Sequence, residues 1–294
     1  MARVTQVTIP RQMTELISSG HKACPGCGGI LVVRHVLRII GSKTIITVPA
    51  SCLTVMEGEY PRSAFKLPLF HTTIETAAAV AAGIRAGLRA KQQNDIHVVA
   101  FAGDGGTYDI GLQALSGAAE RNEDILYVCY DNEAYMNTGL QRSSSTPYGA
   151  STSTTSSDNF KTQQKKDIIQ IMLAHNIPYA ATICVSYLDD LKMKVKKAAS
   201  IEGTRFLLAL APCPPGWGYS SDRTIELGRL AVRSRVFPLL EAEHDKIRLT
   251  KRPAKIPVSR YLSMQNRFRH LTDQEIARIQ ENVDDKWRNI FKAE

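Results

Sequence analysis

The sequence lacks several features that define particular protein classes. None of its 294 residues belongs to a run of about 18 uncharged apolar residues, so we exclude a membrane-spanning helix. The small apolar stretch 77–84 ends at Arg85 and is too short to cross a bilayer. The first residues show no basic segment followed by an apolar one, so we expect no secretory signal peptide. These absences predict a cytoplasmic protein with reduced cysteines and no membrane partner.

Nucleic-acid binding is also not expected. Aromatic residues make up only 7% of the chain, and neither a zinc finger nor a ribonucleoprotein motif is present. The net charge is nevertheless +9, and residues 223–294 carry 16 basic against 10 acidic side chains. We interpret this basic surplus either as a solvated surface or as a surface that attracts an acidic partner or an anionic substrate.

Apolar strands alternate with helices along most of the chain, without an internal repeat. The sequence predicts strands at 44–48, 96–102, 125–130, 179–185 and 205–211. Helices are predicted at 30–40, 72–91, 109–121, 167–175, 188–201 and 224–240. A polar stretch then extends to about residue 258, and a last helix should begin at the capping box Thr272–Glu275. This alternation predicts an α/β fold: a mostly parallel sheet with helices on both faces, plus a C-terminal helical extension.

The same pattern suggests how the chain is divided. We assign residues 1–222 to one α/β domain and 223–294 to an extension that packs on this domain or on partner subunits. Residues 1–20 are interpreted as a leader. The Ser- and Thr-rich segment 143–157 is either a disordered linker or, as we prefer in so compact a chain, an ordered loop near the functional site.

The strongest chemical signal is Gly103-Asp104-Gly105-Gly106 at the end of one predicted strand, with Asn132 at the end of the next. Glycines let the backbone approach a diphosphate and present its N–H groups, and the following helix points its positive end at the anion. Carboxylate and amide oxygens suit Mg²⁺, which commonly shares its ligands with phosphates. Because ligands bind at the carboxyl ends of parallel strands, the sequence predicts a magnesium-diphosphate site there.

Gly-Asp-Gly followed by Asn resembles the thiamine diphosphate motif of thiamine-dependent enzymes. The longer segments 103–116 and 130–139 resemble the beta subunits of the pyruvate:ferredoxin oxidoreductases (pyruvate synthases), of the 2-oxoacid:ferredoxin oxidoreductase family. The resemblance extends from about Gly20 to Trp217 and implies a thiamine diphosphate-binding fold. It implies that Mg²⁺ is bound by Asp104, Asn132 and the carbonyl of Ala134. It further implies a cofactor site that includes Gly103, Gly105, Gly106, Met136, Asn137 and Thr138, the last two beside the thiazolium and the substrate.

The six cysteines have two kinds of surroundings. Cys129 and Cys184 lie inside predicted strands and should be core residues. The other four lie in loops that contain proline or glycine: Cys24, Cys27, Cys52 and Cys213. Their spacing allows a redox-active Cys-x-x-Cys pair, a structural zinc site or a [4Fe–4S] cluster. We favour the cluster, because oxidation of a 2-oxo acid needs an electron acceptor and no flavin motif is present; the family resemblance supports this choice.

The sequence offers several candidates for the groups that activate the cofactor. Glu57, Glu59 and Glu75 are candidates for the glutamate that contacts the aminopyrimidine, although the resemblance implies that a partner subunit supplies it. His71 is predicted to precede a helix, where its pKa would be lowered and it could contact the cofactor as a neutral donor; a purely structural role is the alternative. We therefore name His71 and Asn137 as candidate catalytic residues.

These observations predict the catalytic subunit of a 2-oxoacid:ferredoxin oxidoreductase. It would convert pyruvate and CoA to acetyl-CoA and CO₂ and reduce ferredoxin. Because no further ferredoxin-like cysteine motifs occur, additional clusters would belong to alpha-, gamma- or delta-type partner subunits or to ferredoxin. Two alternatives remain: another substrate (2-oxoisovalerate, 2-oxoglutarate or oxalate), or a zinc-stabilised phosphate-binding subunit without redox activity.

Overall fold

The fold is built on one eight-stranded sheet in the computed structural model, which describes residues 14–244 and 246–293. The strands are β1 (Thr44–Pro49), β2 (Leu69–Thr72), β3 (His97–Gly103), β4 (Leu126–Asp131), β5 (Tyr179–Cys184), β6 (Arg205–Leu210), β7 (Leu240–Glu243) and β8 (Lys246–Leu249). Their order across the sheet is β2-β1-β3-β4-β6-β5-β7-β8. Strands β1 to β6 are parallel, whereas β7 runs antiparallel to β5 and β8 antiparallel to β7.

Helices cover both faces of this sheet, which confirms the predicted architecture. They are α1 (Gly28–Ile40), α2 (Cys52–Glu57), α3 (Ala77–Ala90), α4 (Leu112–Glu120), α5 (Ile168–Leu173), α6 (Leu188–Ser200), α7 (Pro214–Trp217), α8 (Thr224–Arg233), α9 (Ser259–Leu262) and α10 (Asp273–Ala293). Side chains of α1, α2 and α6 pack in one core, and those of α3, α4, α5, α8, α9 and α10 pack in the other. Among the described residues, no helix has the length and apolarity that a bilayer span requires.

The continuous apolar strands follow from burial on both faces. In β3, Val98 and Ala100 belong to one core and Val99 and Phe101 to the other, and all four are fully buried. A strand covered on both sides has no solvent-facing position, so apolar residues occur without alternation.

Three of the eight strands, β2, β7 and β8, were not predicted from the sequence. β2 is a four-residue edge strand with no fully buried residue, and the predicted helix 72–91 begins only at Ala77. The predicted helix 224–240 ends at Arg233 and is followed by β7 and β8. The sequence of β7 carries two carboxylates, a composition more typical of helices than of strands. Its buried Glu241 is stabilised by a hydrogen bond from Tyr179 Oη at 2.8 Å and by contact with Arg248.

The two ends of the described chain have ordered local structure. The proposed leader lies partly outside the described residues, but its residues Leu16 and Ile17 are buried, and Ile17 forms a β-bridge with Phe65. At the other end, the capping box of α10 is confirmed, since Thr272 N donates to Glu275 Oε2 at 2.6 Å and Glu275 N to Thr272 Oγ1 at 3.4 Å. Because β7 pairs with β5, the segment after residue 222 also extends the sheet.

Candidate active site

The predicted site residues lie at the carboxyl edge of the parallel sheet. Strand β3 ends at Gly103 and is followed by Asp104, and the neighbouring β4 ends at Asp131 and is followed by Asn132. Gly103 pairs with Tyr130, one residue before the end of β4. The register therefore brings Asp104 and Asn132 to adjacent strand ends, as expected for a ligand site in a parallel sheet.

Asp104, Asn132 and Ala134 meet at one point. A terminal atom of the Asn132 amide lies 2.8 Å from both Asp104 Oδ1 and the carbonyl oxygen of Ala134. With nitrogen at this position, the amide donates a hydrogen bond to each oxygen. With oxygen there, three oxygens meet without a proton between them, an arrangement that requires a cation. Two neutral oxygens and one carboxylate oxygen are a donor set suited to Mg²⁺.

The surroundings of Asp104 also favour a cation. This side chain is only 1% exposed, and Ser143 Oγ donates a hydrogen bond to its Oδ2 at 2.5 Å. Burial and the nearby negative charge of Asp131 raise the pKa of Asp104 well above its ordinary value. A bound divalent ion would offset both effects, so the residues present fit magnesium. Ser143, Ser145 and Thr146 are buried, which confirms the prediction of an ordered loop near the site.

The glycine-rich turn is tightly packed. The helix predicted at 109–121 is preceded by a π-helical turn over Gly105–Asp109, and α4 itself begins at Leu112. A Cβ at Gly105 would lie 2.2 Å from the ring of Tyr135, and one at Gly106 would lie 3.0 Å from the carbonyl oxygen of Ile74. The small residues thus admit neighbouring protein groups as well as any phosphate, and the diphosphate role of the glycines stays a prediction.

A buried ionic network supports the turn that carries Asn132 and Ala134. Glu133 has a φ of 68°, unusual for a residue with a side chain, and its carboxylate lies between Lys165 (3.0 Å) and Arg267 (2.6 Å). Burial opposes ionisation of Glu133, but these two cations outweigh it and hold its pKa below the ordinary value. Lys165 Nζ also binds Asp131 Oδ2 at 2.6 Å. The paired charges compensate for one another and fix the strained turn.

Trp217 joins this turn to the loop of Cys213. Its Nε1 donates to the carbonyl oxygen of Asn132 at 2.7 Å, and the guanidinium of Arg267 lies 4.0 Å from its ring centroid. Trp217 is the last residue of α7, whose N-cap is Cys213. Trp217 thus connects the turn of Asn132 with the loop of Cys213.

The four loop cysteines approach one another. The loop of Cys24 and Cys27 packs on that of Cys213, because Gly28 N donates to Pro212 O at 3.0 Å. Burial raises the pKa of the Cys52 thiol to about 11 and that of Cys213 to about 12, and the neighbouring cysteines raise both further. Nearby backbone N–H groups oppose this rise in thiol pKa: those of Gly29 and Ile30 at Cys27, that of Asn137 at Cys52, and that of Gly216 at Cys213. Cys129 and Cys184 are fully buried, as predicted.

Four thiolates can bind either a single zinc ion or an iron–sulfur cluster. Across the described ranges, no three His, Cys, Asp or Glu side chains converge closely enough to hold a metal ion. A single zinc ion would need its thiolates about 3.8 Å apart, given tetrahedral Zn–S bonds of about 2.3 Å. A [4Fe–4S] cube ligates each thiolate through a different iron atom and so accepts a wider spacing. Four free, clustered cysteines supply the thiolates that a [4Fe–4S] cluster needs, and the choice of this cluster over one zinc ion stays a prediction.

Asn137, Thr138 and Met136 lie between the two candidate centres. Asn137 and Thr138 are exposed, and Thr138 Oγ1 donates to Gln141 Oε1 at 2.5 Å. Met136 contacts α7, since a Cβ at Gly216 would lie 2.2 Å from its Sδ. The structure thus places the Asn137 backbone beside Cys52 and Met136 beside the loop of Cys213.

His71 does not occupy a helix N-terminus. It lies in β2, and its Nε2 contacts Glu57 Oε2. The prediction that His71 precedes a helix directly was therefore wrong, because α3 begins six residues later. The three candidate glutamates are also engaged: Glu57 accepts from Ser63 at 3.0 Å, Glu59 pairs with Lys22 at 3.8 Å and Glu75 accepts from Thr73 at 2.9 Å. Each of the three carboxylates therefore has a local partner.

Sequence-based reasoning missed Lys165 and Arg267. Asp131 ends a fully buried strand, and the buried Glu133 follows two residues later, so these acids require buried cations. That requirement was visible in the sequence, but the partners were not, since Arg267 lies 134 residues from Glu133.

Comparison with known proteins identifies the fold family. Residues 50–208 match the family described as "Thiamine pyrophosphate enzyme, C-terminal TPP binding domain". The pyruvate synthase subunit PorB of Methanocaldococcus jannaschii is 51% identical over 288 residues, which cover 94% of this chain and 96% of that protein. The chain belongs to the 2-oxoacid:ferredoxin oxidoreductase subunits of the thiamine pyrophosphate enzyme family.

Two further proteins similar to this oxidoreductase subunit are named for 2-oxo acids other than pyruvate. The ketoisovalerate oxidoreductase subunit VorB of Pyrococcus abyssi is 47% identical over 299 residues, covering 98% of this chain and 95% of that protein. A solved 2-oxoglutarate:ferredoxin oxidoreductase from Magnetococcus marinus superimposes with a TM-score of 0.59 at 21% identity, covering 73% of this chain and 79% of that one. Because the sequence identity to this solved structure is low, the similarity confirms only the fold.

Proposed function

We propose that this chain is the thiamine diphosphate- and [4Fe–4S]-binding catalytic subunit of an oxidoreductase that acts on pyruvate. Pyruvate, CoA and two oxidised ferredoxins would yield acetyl-CoA, CO₂, two reduced ferredoxins and one proton. The observation that carries this proposal is the meeting of Asp104, Asn132 and Ala134 at 2.8 Å, beside four clustered cysteines. Similarity to a pyruvate synthase subunit over nearly the whole chain supports the substrate.

The chain's own residues would hold the cofactors in fixed positions. Asp104, Asn132 and the carbonyl of Ala134 would bind Mg²⁺, and Ser143 would orient the Asp104 carboxylate through its hydrogen bond. Thiamine diphosphate, when bound, supplies a carbon nucleophile and takes up the electrons released as CO₂ leaves. Lys165 and Arg267 would hold the turn of Glu133 and so keep two magnesium ligands in place.

The four loop cysteines would bind the iron–sulfur cluster: Cys24, Cys27, Cys52 and Cys213. Amide hydrogen bonds to thiolates stabilise their negative charge and tune the reduction potential of a cluster. The backbone N–H of Asn137, which lies near the Cys52 thiol, would keep the cluster next to the cofactor loop. Asn137, Thr138 and His71 remain candidates for contact with the cofactor or substrate.

Other subunits complete the proposed enzyme. Because Glu57, Glu59 and Glu75 are engaged in local contacts, the glutamate that activates thiamine would come from an alpha-type partner. Gamma- and delta-type subunits or ferredoxin would accept the electrons. The basic surplus of residues 223–294 would attract an acidic ferredoxin.

The proposal is tested on the complex purified without oxygen. We expect about four iron and four sulfide per chain, bound thiamine diphosphate, and reduction of a viologen dye that depends on pyruvate and CoA. The panel includes 2-oxoisovalerate, because VorB relatives are 47% identical, together with 2-oxoglutarate and oxalate. A higher kcat/KM for any of these acids than for pyruvate would identify that acid as the substrate instead. One zinc without sulfide would refute the redox role.

A further inference from the structure

A second cavity lies behind the candidate active site and uses none of its proposed ligands. It has a volume of about 740 Å³ and lies between the sheet, α5 and α10. Its wall is largely apolar and includes Ile168, Leu208, Phe237, Leu240, Ile279 and Val283. This size and lining are typical of pockets that enclose a small apolar molecule.

Two donors in the cavity wall have no hydrogen-bond acceptor. Arg235 Nε and Asn282 Nδ2 are both shielded from solvent, and neither has a hydrogen-bond partner in the described structure. Shielded donors without partners are costly and rare in folded proteins. Arg235 is held in place by Trp287, whose ring centroid lies 4.7 Å from the guanidinium and whose Nε1 donates to the Arg235 carbonyl at 2.8 Å.

Arg235 is also the one charged group of the cavity wall that lacks an opposite charge among the described residues. Lys165 and Glu133 pair with each other, and Lys286 pairs with Asp167 at 3.1 Å. The remaining two charges in the wall also have partners: Lys166 lies 3.9 Å from Asp109, and Asp285 contacts Arg288. One positive charge in the apolar cavity is therefore left without compensation.

We propose that this cavity binds a monocarboxylic acid with an apolar chain. Its carboxylate would pair with Arg235 and accept a hydrogen bond from Asn282, and its chain would lie along the apolar wall. A single uncompensated cation balances one carboxylate, whereas a phosphate would bring additional negative charge. The cavity has room for a chain well beyond the size of a 2-oxo acid substrate. Binding here does not depend on the proposed reaction, since no proposed Mg²⁺ or cluster ligand lines the cavity.

Decanoate is the probe that tests this proposal, with decanol as the uncharged equivalent. Calorimetric titration of the full chain should show saturable binding of decanoate and at least tenfold weaker binding of decanol. Decanoate should also change the fluorescence of Trp287, because its carboxylate would meet the guanidinium over that ring. The Trp217→Phe variant should retain this change, and Trp287→Phe should lose it.

Variants separate acid recognition from apolar binding. Arg235→Gln should weaken decanoate binding at least tenfold and leave decanol binding unchanged, whereas Arg233→Gln, at an exposed position nearby, should change neither. Asn282→Leu, which keeps Arg235, gives a second test should Arg235→Gln not fold, and should weaken decanoate binding by a smaller factor. Equal binding of decanoate and decanol, binding unaffected by Arg235→Gln and Asn282→Leu, or no binding at all would each overturn the proposal.

Discussion

The indole Nε1 of Trp217 donates a hydrogen bond to the backbone carbonyl of Asn132 at 2.7 Å. Asn132 contributes its amide to the candidate magnesium site, and Trp217 ends the short helix that follows Cys213. The contact therefore connects the two centres that the sequence predicts. Because the same ring is covered by Arg267, its orientation is set by the ionic network around Glu133.

Trp217→Phe should weaken the binding of Mg-thiamine diphosphate. The variant keeps an aromatic ring but leaves the buried carbonyl of Asn132 without its donor, a loss of about 1 kcal/mol, or roughly fivefold in affinity. Calorimetric titration with the cofactor measures this change. Trp287→Phe is the matched control, because it removes an indole donor to the carbonyl of Arg235 rather than to that of Asn132. Equal cofactor affinity in both variants would show that the hydrogen bond from Trp217 does not support the magnesium site.

Arg267→Met should destabilise the fold strongly. It leaves the buried Glu133 with Lys165 alone, and removal of one partner from a buried ion pair costs about 3–5 kcal/mol. We expect the lower end of this range, since Lys165 remains 3.0 Å away. The midpoint of chemical unfolding measures the loss, and Arg223→Met, which removes an exposed pair with Glu226, should leave it nearly unchanged. Cofactor binding should fall in Arg267→Met even where the chain is fully folded.

Ser143→Ala should lower magnesium affinity without affecting the fold. The hydroxyl donates to Asp104 at 2.5 Å, and loss of a group that orients a metal ligand typically costs about 10–100-fold in affinity. Magnesium titration in the presence of thiamine diphosphate gives the value. Ser116→Ala removes a comparable hydrogen bond to His175 away from the site and serves as the control. An unchanged magnesium affinity would mean that Ser143 does not orient a ligand.

The part of the site that could be predicted from the sequence is the part that short sequence motifs define. Gly103-Asp104 and Asn132 each follow a buried strand directly, so the parallel arrangement alone predicts that they meet. The partners of Glu133 could not be predicted in this way. Nothing in the local sequence distinguishes Arg267 from a solvated arginine, and only the tertiary fold brings it across the turn.

The errors in the fold have equally local causes. Strand β2 has four residues, lies at the sheet edge and is followed closely by an alanine-rich helix, so the helical signal extended over it. His71 was consequently assigned to a helix N-terminus that lies six residues further on. Strand β7 was missed because its two glutamates favour a helix, whereas in the sheet Tyr179 and Arg248 stabilise the buried carboxylate of Glu241.

Cys52→Ala should abolish or severely reduce iron binding. Cys52 lies in the group of four loop cysteines: burial raises its pKa, and the charges of Cys27 and Cys24 raise it further. Loss of this ligand would leave an iron atom of the proposed cluster open to solvent. Iron and sulfide content after anaerobic purification measure the effect. Cys184→Ala, which changes a fully buried thiol in β5, should retain full iron content. Normal iron content in Cys52→Ala would remove this residue from the ligand set.

The pair Lys194 and Asp190 should make stability depend on pH. Burial lowers the pKa of Lys194 to about 8, against its ordinary 10.5, although Asp190 lies 2.7 Å away. Between these two values the unfolded chain carries a proton that the folded chain has lost, so this group increases stability as pH rises. Replacing both residues by Met and Leu should remove about 1–2 kcal/mol of the gain in unfolding free energy between pH 7.5 and 9.5. Lys196→Met, on the exposed side of the same helix, should keep the wild-type pH dependence, and an identical dependence in the double variant would show that Lys194 titrates normally.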